Sequence, residues 1–253
     1  MKRPKFGCVL VCARAYRVLM DQALLWGSVA AAPLLLGALL ALWRGWPPKL
    51  LGLVLGFGAG ALMASIAFEL VEAGLQVGGP ISLVVGVAAG ALTYYLADRL
   101  VDGHGRADRA GSGPALAVGA LLDGVPEQFV LGIGIANGEG VGLALVVAIF
   151  VSNLPESIGS ASDLLQDGRK KAQVLWLWAV VAVICALATV AGYAVADAVT
   201  PPLRAASMGF AAGALLVMLV DAMVPEARSK GGQATGLLTV FGFAVAAGLA
   251  IAV

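Results

Sequence analysis

The stretch that decides the fold is PPKLLGLVLGFGAGAL at residues 47–62, because it recurs in altered form as PPLRAASMGFAAGAL at residues 201–215. Both copies join a proline pair to a run of glycine and alanine, and a GG pair follows each copy, at 78–79 and at 231–232. Small residues of this kind let membrane helices approach one another closely. The sequence therefore predicts a unit of packed membrane helices that occurs twice.

The composition of the whole chain agrees with a membrane environment. Of its 253 residues, 60% are hydrophobic and 12% are charged, whereas about 25% of a soluble domain is charged. Backbone groups in lipid must be satisfied within the protein, and apolar runs of about 20 residues favour helices over barrel strands. We predict eight spanning helices, at 22–43, 50–73, 79–98, 114–136, 140–165, 172–198, 203–225 and 232–253.

The repeat organises these eight helices into three sets. Helices 1–3 (repeat one, 22–101) resemble helices 6–8 (repeat two, 172–253), and Trp26 and Trp178 occupy similar positions in the first and sixth helices. The core helices at 114–166 lie between the repeats. Because five helices separate equivalent members, the two triplets cross the membrane in opposite directions, as in secondary transporters. The expected fold is an all-α transmembrane domain at 22–253, with a 3+2+3 inverted repeat.

The distribution of lysine and arginine predicts the orientation. Ten of these residues fall in alternate loops and only Arg204 falls in the opposite ones, which places the richer loops in the cytoplasm. Both termini are then outside the cytoplasmic membrane. The basic N-terminal segment, 1–21, opposes this orientation and is interpreted as interfacial.

Two motifs in the fourth and fifth helices carry the chemistry. LLDGVPEQFVLG at 121–132 and FVSNLPESIGSA at 150–161 each place a glutamate after a proline near mid-membrane. A carboxylate at that depth costs about 2.5–3.5 kcal/mol, so it requires an ion, a proton or a partner. Residues three or four apart share a helical face. The motifs predict a cation site made of Asp123, Glu127, Ser152, Asn153 and Glu156.

The two prolines of these motifs are predicted to break their helices. Pro126 and Pro155 cannot donate to the carbonyl oxygens of Leu122 and Val151, which become available to line a cavity. The alternative is that both are ordinary kinks and that the acids are protonated packing residues.

Together the motifs resemble those of the ZIP family of divalent-metal transporters, whose fourth helix carries HNxPEG and whose fifth carries HExPEG. The resemblance covers 22–253 and implies metal uptake, zinc as the default substrate and a homodimer. This chain has Asp123 and Ser152 where the family has histidine, and Gly124 and Asn153 at the second metal position. Its ligands would be nearly all oxygen and would form one site. Oxygen suits harder cations such as Mn²⁺, Mg²⁺ or Ca²⁺, although Zn²⁺ also accepts carboxylates.

Four further acids resemble those that line an exit route in the family. They are expected near the cytoplasmic ends of the second and seventh helices, and they are Glu69, Glu72, Asp221 and Glu226. The alternative is that acids at helix ends simply reach the interface. His104, the only histidine, lies in the polar linker at 98–114 and is interpreted as solvated.

The leading hypothesis is a secondary transporter of divalent metal ions. The chain has no GxxxxGK[ST] motif for ATP, so gradients would drive it. One alternative is a ZIP-like carrier for protons or a non-metal solute, or one that no longer transports. An intramembrane enzyme is the weaker alternative, since the sequence has neither HExxH nor a serine with a suitable base. We expect no enzymatic activity and no prosthetic group. The expected partners are membrane lipid, the metal substrate and a second copy of the chain, without nucleic acid.

Overall fold

The computed structural model describes residues 6–103, 113–136 and 143–252, and every regular element in these ranges is helical. The α-helices are α1 (Phe6–Trp43), α2 (Pro48–Ser65), α3 (Ala73–Gly103), α4 (Gly113–Ala136), α5 (Leu143–Gln166), α6 (Lys171–Val195), α7 (Pro201–Met218), α8 (Val224–Gly231) and α9 (Thr235–Ala252). Two π-helical segments, Ile66–Glu72 and Leu219–Met223, follow α2 and α7. Two 3₁₀ turns, Ala196–Ala198 and Gly232–Ala234, follow α6 and α8. The prediction of an all-α fold is confirmed for this part of the chain.

Within the described ranges, five continuous helical stretches are long and apolar enough to cross a membrane. They are Met20–Trp43, Pro48–Arg99, Val118–Ala136, Lys171–Ala198 and Pro201–Ala250. Large apolar side chains on the outer surface are exposed, such as Ile81 at 80% and Trp176 at 72%, as expected where lipid surrounds the helices. The architecture is that of a multi-pass helical membrane protein.

The stretch from Pro48 to Arg99 has 52 residues, more than twice the number that a bilayer requires. It bends at Gly79, where φ is 80° and ψ is 173°, a conformation essentially restricted to glycine. A Cβ atom on Gly74 would lie 2.7 Å from Leu83 Cδ1, whereas nine residues of straight helix span about 13 Å. The chain therefore turns back on itself at Gly79.

The stretch from Pro201 to Ala250 has 50 residues and bends in the same way. Gly232 has φ 69° and ψ −148°. The Thr235 hydroxyl donates a hydrogen bond of 3.0 Å to the carbonyl oxygen of Ala227, although eight residues of straight helix span about 12 Å. This stretch also folds back at its glycine.

The two long stretches match in detail. Each starts with an 18-residue helix that has proline in its first turn, α2 or α7. Each continues without a break into a π-helical segment. The glycine with positive φ comes 31 residues after the first residue of α2 in one case and of α7 in the other. The sequence repeat is thus matched by the same order of local structures.

Glycines permit the closest contacts between the stretches. A Cβ atom on Gly86 would lie 2.1 Å from the carbonyl oxygen of Ala206, and one on Gly90 would lie 1.9 Å from that of Phe210. Both residue numbers rise together, so α3 and α7 run parallel. Contacts between α2 and α9 follow the same rule, because Gly56 meets Thr235 and Gly60 meets Thr239.

The hydrophobic core divides the helices into two packing groups. In one group, α1, α4, α5 and α6 enclose Leu34, Ile149 and Trp178. In the other, α2, α3, α7 and α8 enclose Leu51 and Leu215 together with Val130 of α4 and Ile158 of α5, and α9 packs on α2. The outer helices α1 and α6 therefore pack with one another and with α4 and α5 rather than within their own triplets.

Several helix boundaries differ from the sequence prediction. Helix α1 begins at Phe6 rather than at residue 22, because residues 8–21 contain neither proline nor glycine to end it. Helix α3 continues to Gly103, five residues beyond the predicted end of the third helix at residue 98.

Candidate functional site

Helices α4 and α5 pack against one another and carry the two proline-glutamate motifs. Both helices continue through their proline, so the prediction that Pro126 and Pro155 break them is wrong. A proline removes one helical hydrogen bond, and neighbouring helices in a membrane protein stabilise the remainder. The motifs therefore lie inside intact helices.

The Glu127 carboxylate is buried, with 1% of the residue exposed. The hydroxyl group of Ser65 donates a long hydrogen bond of 3.5 Å to Glu127 Oε1. Ser65 is the last residue of α2, immediately before the π-helical segment. A residue from the first repeat thus contacts the carboxylate of the core helix.

The buried face of α5 is polar over several turns. Asn153, Glu156, Ser160 and Asp163 are each no more than 5% exposed. Their spacing of three or four residues places them along one face of the helix. Asn153 Oδ1 has no hydrogen-bond partner among the described residues, so this amide oxygen is available to a ligand.

Ser157, also on α5, fixes this helix against α1. Its hydroxyl lies 3.0 Å from the carbonyl oxygen of Pro33 and 2.8 Å from that of Asn153. Gly37 makes the approach possible, since a Cβ atom there would lie 1.9 Å from Ser157 Oγ. The polar face of α5 is therefore held in a defined orientation.

The proline of the second motif lies where both repeats meet α5. A Cβ atom on Gly58 of α2 would be 2.7 Å from Pro155 Cβ and 2.9 Å from Met223 Cε. Met223 belongs to the π-helical segment after α7. The motif is thus positioned between the repeats.

Two predicted ligands cannot be located in the same way. Asp123 and Ser152 lie within α4 and α5, but their side chains are outside the described residues, as is His104. Among the residues described, no group of three or more His, Cys, Asp or Glu side chains is arranged to hold a metal ion.

The position at which the family has asparagine on the fourth helix is packed against α6. A Cβ atom on Gly124 would lie 2.9 Å from Cys185 Sγ. Gln128 also faces α6, where Thr189 donates a 2.5 Å hydrogen bond to its Oε1 atom. This side of α4 is occupied by helix packing.

The four predicted exit-route acids are not gathered together. Glu72 and Asp221 are exposed and Glu69 is partly buried, whereas Glu226 is 8% exposed and accepts a 2.5 Å hydrogen bond from Lys230 Nζ. The same ammonium group contacts the Asp163 carboxylate.

The expected cytoplasmic location suits only part of this set. Glu69 and Glu72 lie shortly before the reversal at Gly79, about 30 Å along the helix from Lys49. If the loop that contains Lys49 is cytoplasmic, these two acids are at the external side. Glu226 lies beside Arg228 and Lys230 at the lysine-rich end, so it alone of these three fits a cytoplasmic exit.

Sequence reasoning missed Ser65, Asp163 and Lys230. Two of them could have been found from their spacing. Asp163 lies seven residues after Glu156 on the same helical face, and Lys230 lies four residues after Glu226, at the spacing of a helical ion pair. The contact of Ser65 with Glu127 joins residues 62 apart, and no local pattern predicts it.

Carboxylate, amide and hydroxyl oxygens thus occupy the interior of two helices that contain no lysine or arginine. Oxygen atoms of these kinds bind hard and borderline cations. In comparisons with known proteins, no family model matches the chain and no curated protein matches it significantly.

Proposed function

We propose that the chain is a secondary transporter of divalent metal cations with the architecture of the ZIP family. The observation that carries the proposal is the burial of Glu127 and Glu156 inside α4 and α5, at 1% and 0% exposure, on helices without lysine or arginine. Carboxylates at membrane depth are retained where they serve ions or protons. A divalent cation as substrate balances two such charges.

The proposal of eight membrane crossings is supported by the five apolar stretches in the described ranges and by the two reversals within them. The turns at Gly79 and Gly232 divide each long stretch into two crossings. Helix α5, with 24 residues, is long enough to be the eighth. This count corresponds to the 3+2+3 order.

The inverted repeat is supported by the matching pairs of contacts. With eight crossings that alternate in direction, the third crossing (α3) and the seventh (α7) run parallel, and so do the second (α2) and the eighth (α9). The glycine contacts between α3 and α7 and between α2 and α9 have this direction. We infer a two-fold axis in the membrane plane that relates these two pairs and leaves α4 and α5 at the centre.

The proposed ligands are Glu127, Asn153 and Glu156, with Asp123 and Ser152 as further candidates one turn away on the same helices. This set is rich in oxygen and lacks histidine. Zinc is the substrate by family resemblance, and Mn²⁺, Fe²⁺, Cd²⁺ and harder cations are compatible with carboxylate ligands.

The cation is proposed to enter from outside, lose water at the carboxylates and leave on the lysine-rich side, which is cytoplasmic by the positive-inside rule. The chain lies in the cytoplasmic membrane with both termini outside. Movement of the group α1, α4, α5 and α6 against the remaining helices would expose the site alternately to the two sides, with an ion gradient as the energy source.

Uptake of divalent ions into proteoliposomes tests this function. Zn²⁺, Cd²⁺, Mn²⁺, Fe²⁺, Mg²⁺ and Ca²⁺ are compared for the wild type and for Glu156→Ala. We expect saturable uptake of at least one ion by the wild type and its loss in the variant, because a buried ligand and its charge are removed.

Asp197→Asn is the matched control, since Asp197 is an exposed carboxylate in the 3₁₀ turn after α6. It is expected to transport at the wild-type rate. Absence of uptake of every ion by the folded wild type, or equal uptake by Glu156→Ala, contradicts the proposal.

A further inference from the structure

The polar face of α5 does not end at Glu156. Ser160 and Asp163 follow it by four and seven residues, and both are buried. Seven residues are two helical turns, or about 10 Å along the axis. Asp163 therefore lies on the same face as Glu156, toward the lysine-rich end of the bundle.

At that end the polar face meets α8 of the second repeat. The Lys230 ammonium group contacts the Asp163 carboxylate and lies 2.5 Å from Glu226 Oε1. The side chains of Asp163 and Glu226 are 7% and 6% exposed, and that of Lys230 is 18% exposed. One ammonium group is thus held between two buried carboxyl groups from different helices.

Glu226 retains an unused oxygen in this cluster. Its Oε2 atom is buried and has no hydrogen-bond partner among the described residues. The ammonium group therefore leaves one oxygen of Glu226 without a donor, and the Glu226 carboxyl also lies within hydrogen-bonding range of Asp163. A divalent cation in place of the ammonium group would meet both carboxyl groups and use this oxygen as well.

We propose that Lys230 is a displaceable counter-cation, whose ammonium group occupies the last cation position on a path along α5, between Asp163 and Glu226. This inference rests on the proposed function. A departing cation moves from Glu156 past Ser160, takes the carboxylates from Lys230 and is released when the ammonium group returns. Lys230 is thus a positioning residue that keeps the final position from retaining the ion.

The bond between Lys230 and Asp163 also joins the two packing groups, since α5 belongs to one and α8 to the other. Displacement of Lys230 by an ion removes this link at the moment of release. The same residue therefore couples ion occupancy to the relative position of the groups.

Equilibrium dialysis of the purified full-length chain against Mn²⁺ tests the proposal. Lys230→Met keeps the length of the side chain and removes its charge. We expect it to bind one more Mn²⁺ per chain than the wild type, because the final position is vacated. Lys230→Arg keeps the charge and should bind as the wild type does. Lys230→Met with Asp163→Asn should lose the additional ion.

A folded Lys230→Met that binds no more Mn²⁺ than the wild type overturns the proposal. The additional Mn²⁺ bound by Lys230→Met is counted relative to the wild type. The same addition is expected when both chains also carry Glu156→Gln. Failure of the wild type to bind or transport any ion is therefore a separate result, which concerns the proposed function only.

Lys230→Arg supplies a second measurement if Lys230→Met does not fold. An arginine fork holds two carboxylates more tightly than an ammonium group does. Mn²⁺ uptake should then show kcat about threefold to tenfold lower, or about 1 kcal/mol, with KM unchanged because the ligands around Glu156 are intact. An unchanged kcat in the folded variant contradicts the displacement step.

Discussion

The middle and the end of α5 carry the same kind of buried group in different surroundings. Glu156 lies at mid-helix, on a helix that has no lysine or arginine and packs against α4, which also has none. Asp163, two turns later, contacts the ammonium group of Lys230. The protein thus supplies its own cation at the end of the helix, whereas we propose that the middle receives one from outside.

The largest expected difference between these two positions is in transport. Glu156→Gln and Asp163→Asn each remove one charge from α5 with little change of shape. We expect kcat/KM for divalent-ion uptake to fall about 100-fold or more in Glu156→Gln, since loss of a buried charged partner costs about 3–5 kcal/mol. In Asp163→Asn the fall should be less than about tenfold, because Glu226 still holds Lys230. Equal losses in the two folded variants would show that the middle and the end of α5 contribute equally to transport.

The free energy of unfolding should depend more on the ion pair at the end of α5 than on Glu156 in its middle. In Lys230→Met, Asp163 and Glu226 remain buried without their ammonium group, which we expect to cost about 2 kcal/mol, less than a fully buried pair because Lys230 is partly exposed. This corresponds to a Tm lower by about 5 °C, measured by thermal unfolding in detergent. Adding Asp163→Asn to Lys230→Met should restore part of the loss. If the two substitutions are simply additive, Lys230 and Asp163 are not coupled.

Whether a feature of α5 can be predicted from the sequence depends on how far apart along the chain the interacting residues are. The repeat, the helical fold and the burial of Glu127 and Glu156 were predicted, because proline-glutamate motifs and apolar runs are local patterns. Pairing of Asp163 with Lys230 joins residues 67 apart. It depends on which ends of α5 and α8 meet, and this is fixed by tertiary packing.

Dependence on tertiary packing also explains which predictions from the sequence were wrong. Proline was predicted to break α4 and α5 because the rule concerns an isolated helix, whereas these helices are surrounded by others. The exit-route acids were grouped because of their sequence similarity. In the inverted repeat that we propose, equivalent residues lie at opposite membrane faces, so Glu72 and Glu226 cannot both line one exit. The four-helix group with α1 and α6 was not foreseen, since Gly/Ala-rich helices do not encode their neighbours.

A smaller effect is expected where the first repeat contacts the site. Ser65→Ala removes the hydroxyl that donates to Glu127 Oε1 at 3.5 Å. One hydrogen bond contributes about 1 kcal/mol, so KM for divalent-ion uptake should change about fivefold with kcat nearly constant. Ser28→Ala is the control, because Ser28 is exposed and bonds only within its own helix. An identical KM in Ser65→Ala would show that the first repeat does not act on the carboxylate.

The smallest effect should separate the two acids of the second repeat. Glu226→Gln weakens the end position while Asp163 still faces Lys230, so we expect kcat to fall about threefold, or less than 1 kcal/mol. Asp221→Asn should leave kcat unchanged, because Asp221 is exposed in the π-helical segment and has no place among the buried groups of α5. Parallel uptake measurements on the two variants decide the point. If Asp221→Asn is the more damaged of the two, the ion leaves along α7, and the end of α5 holds only a structural ion pair.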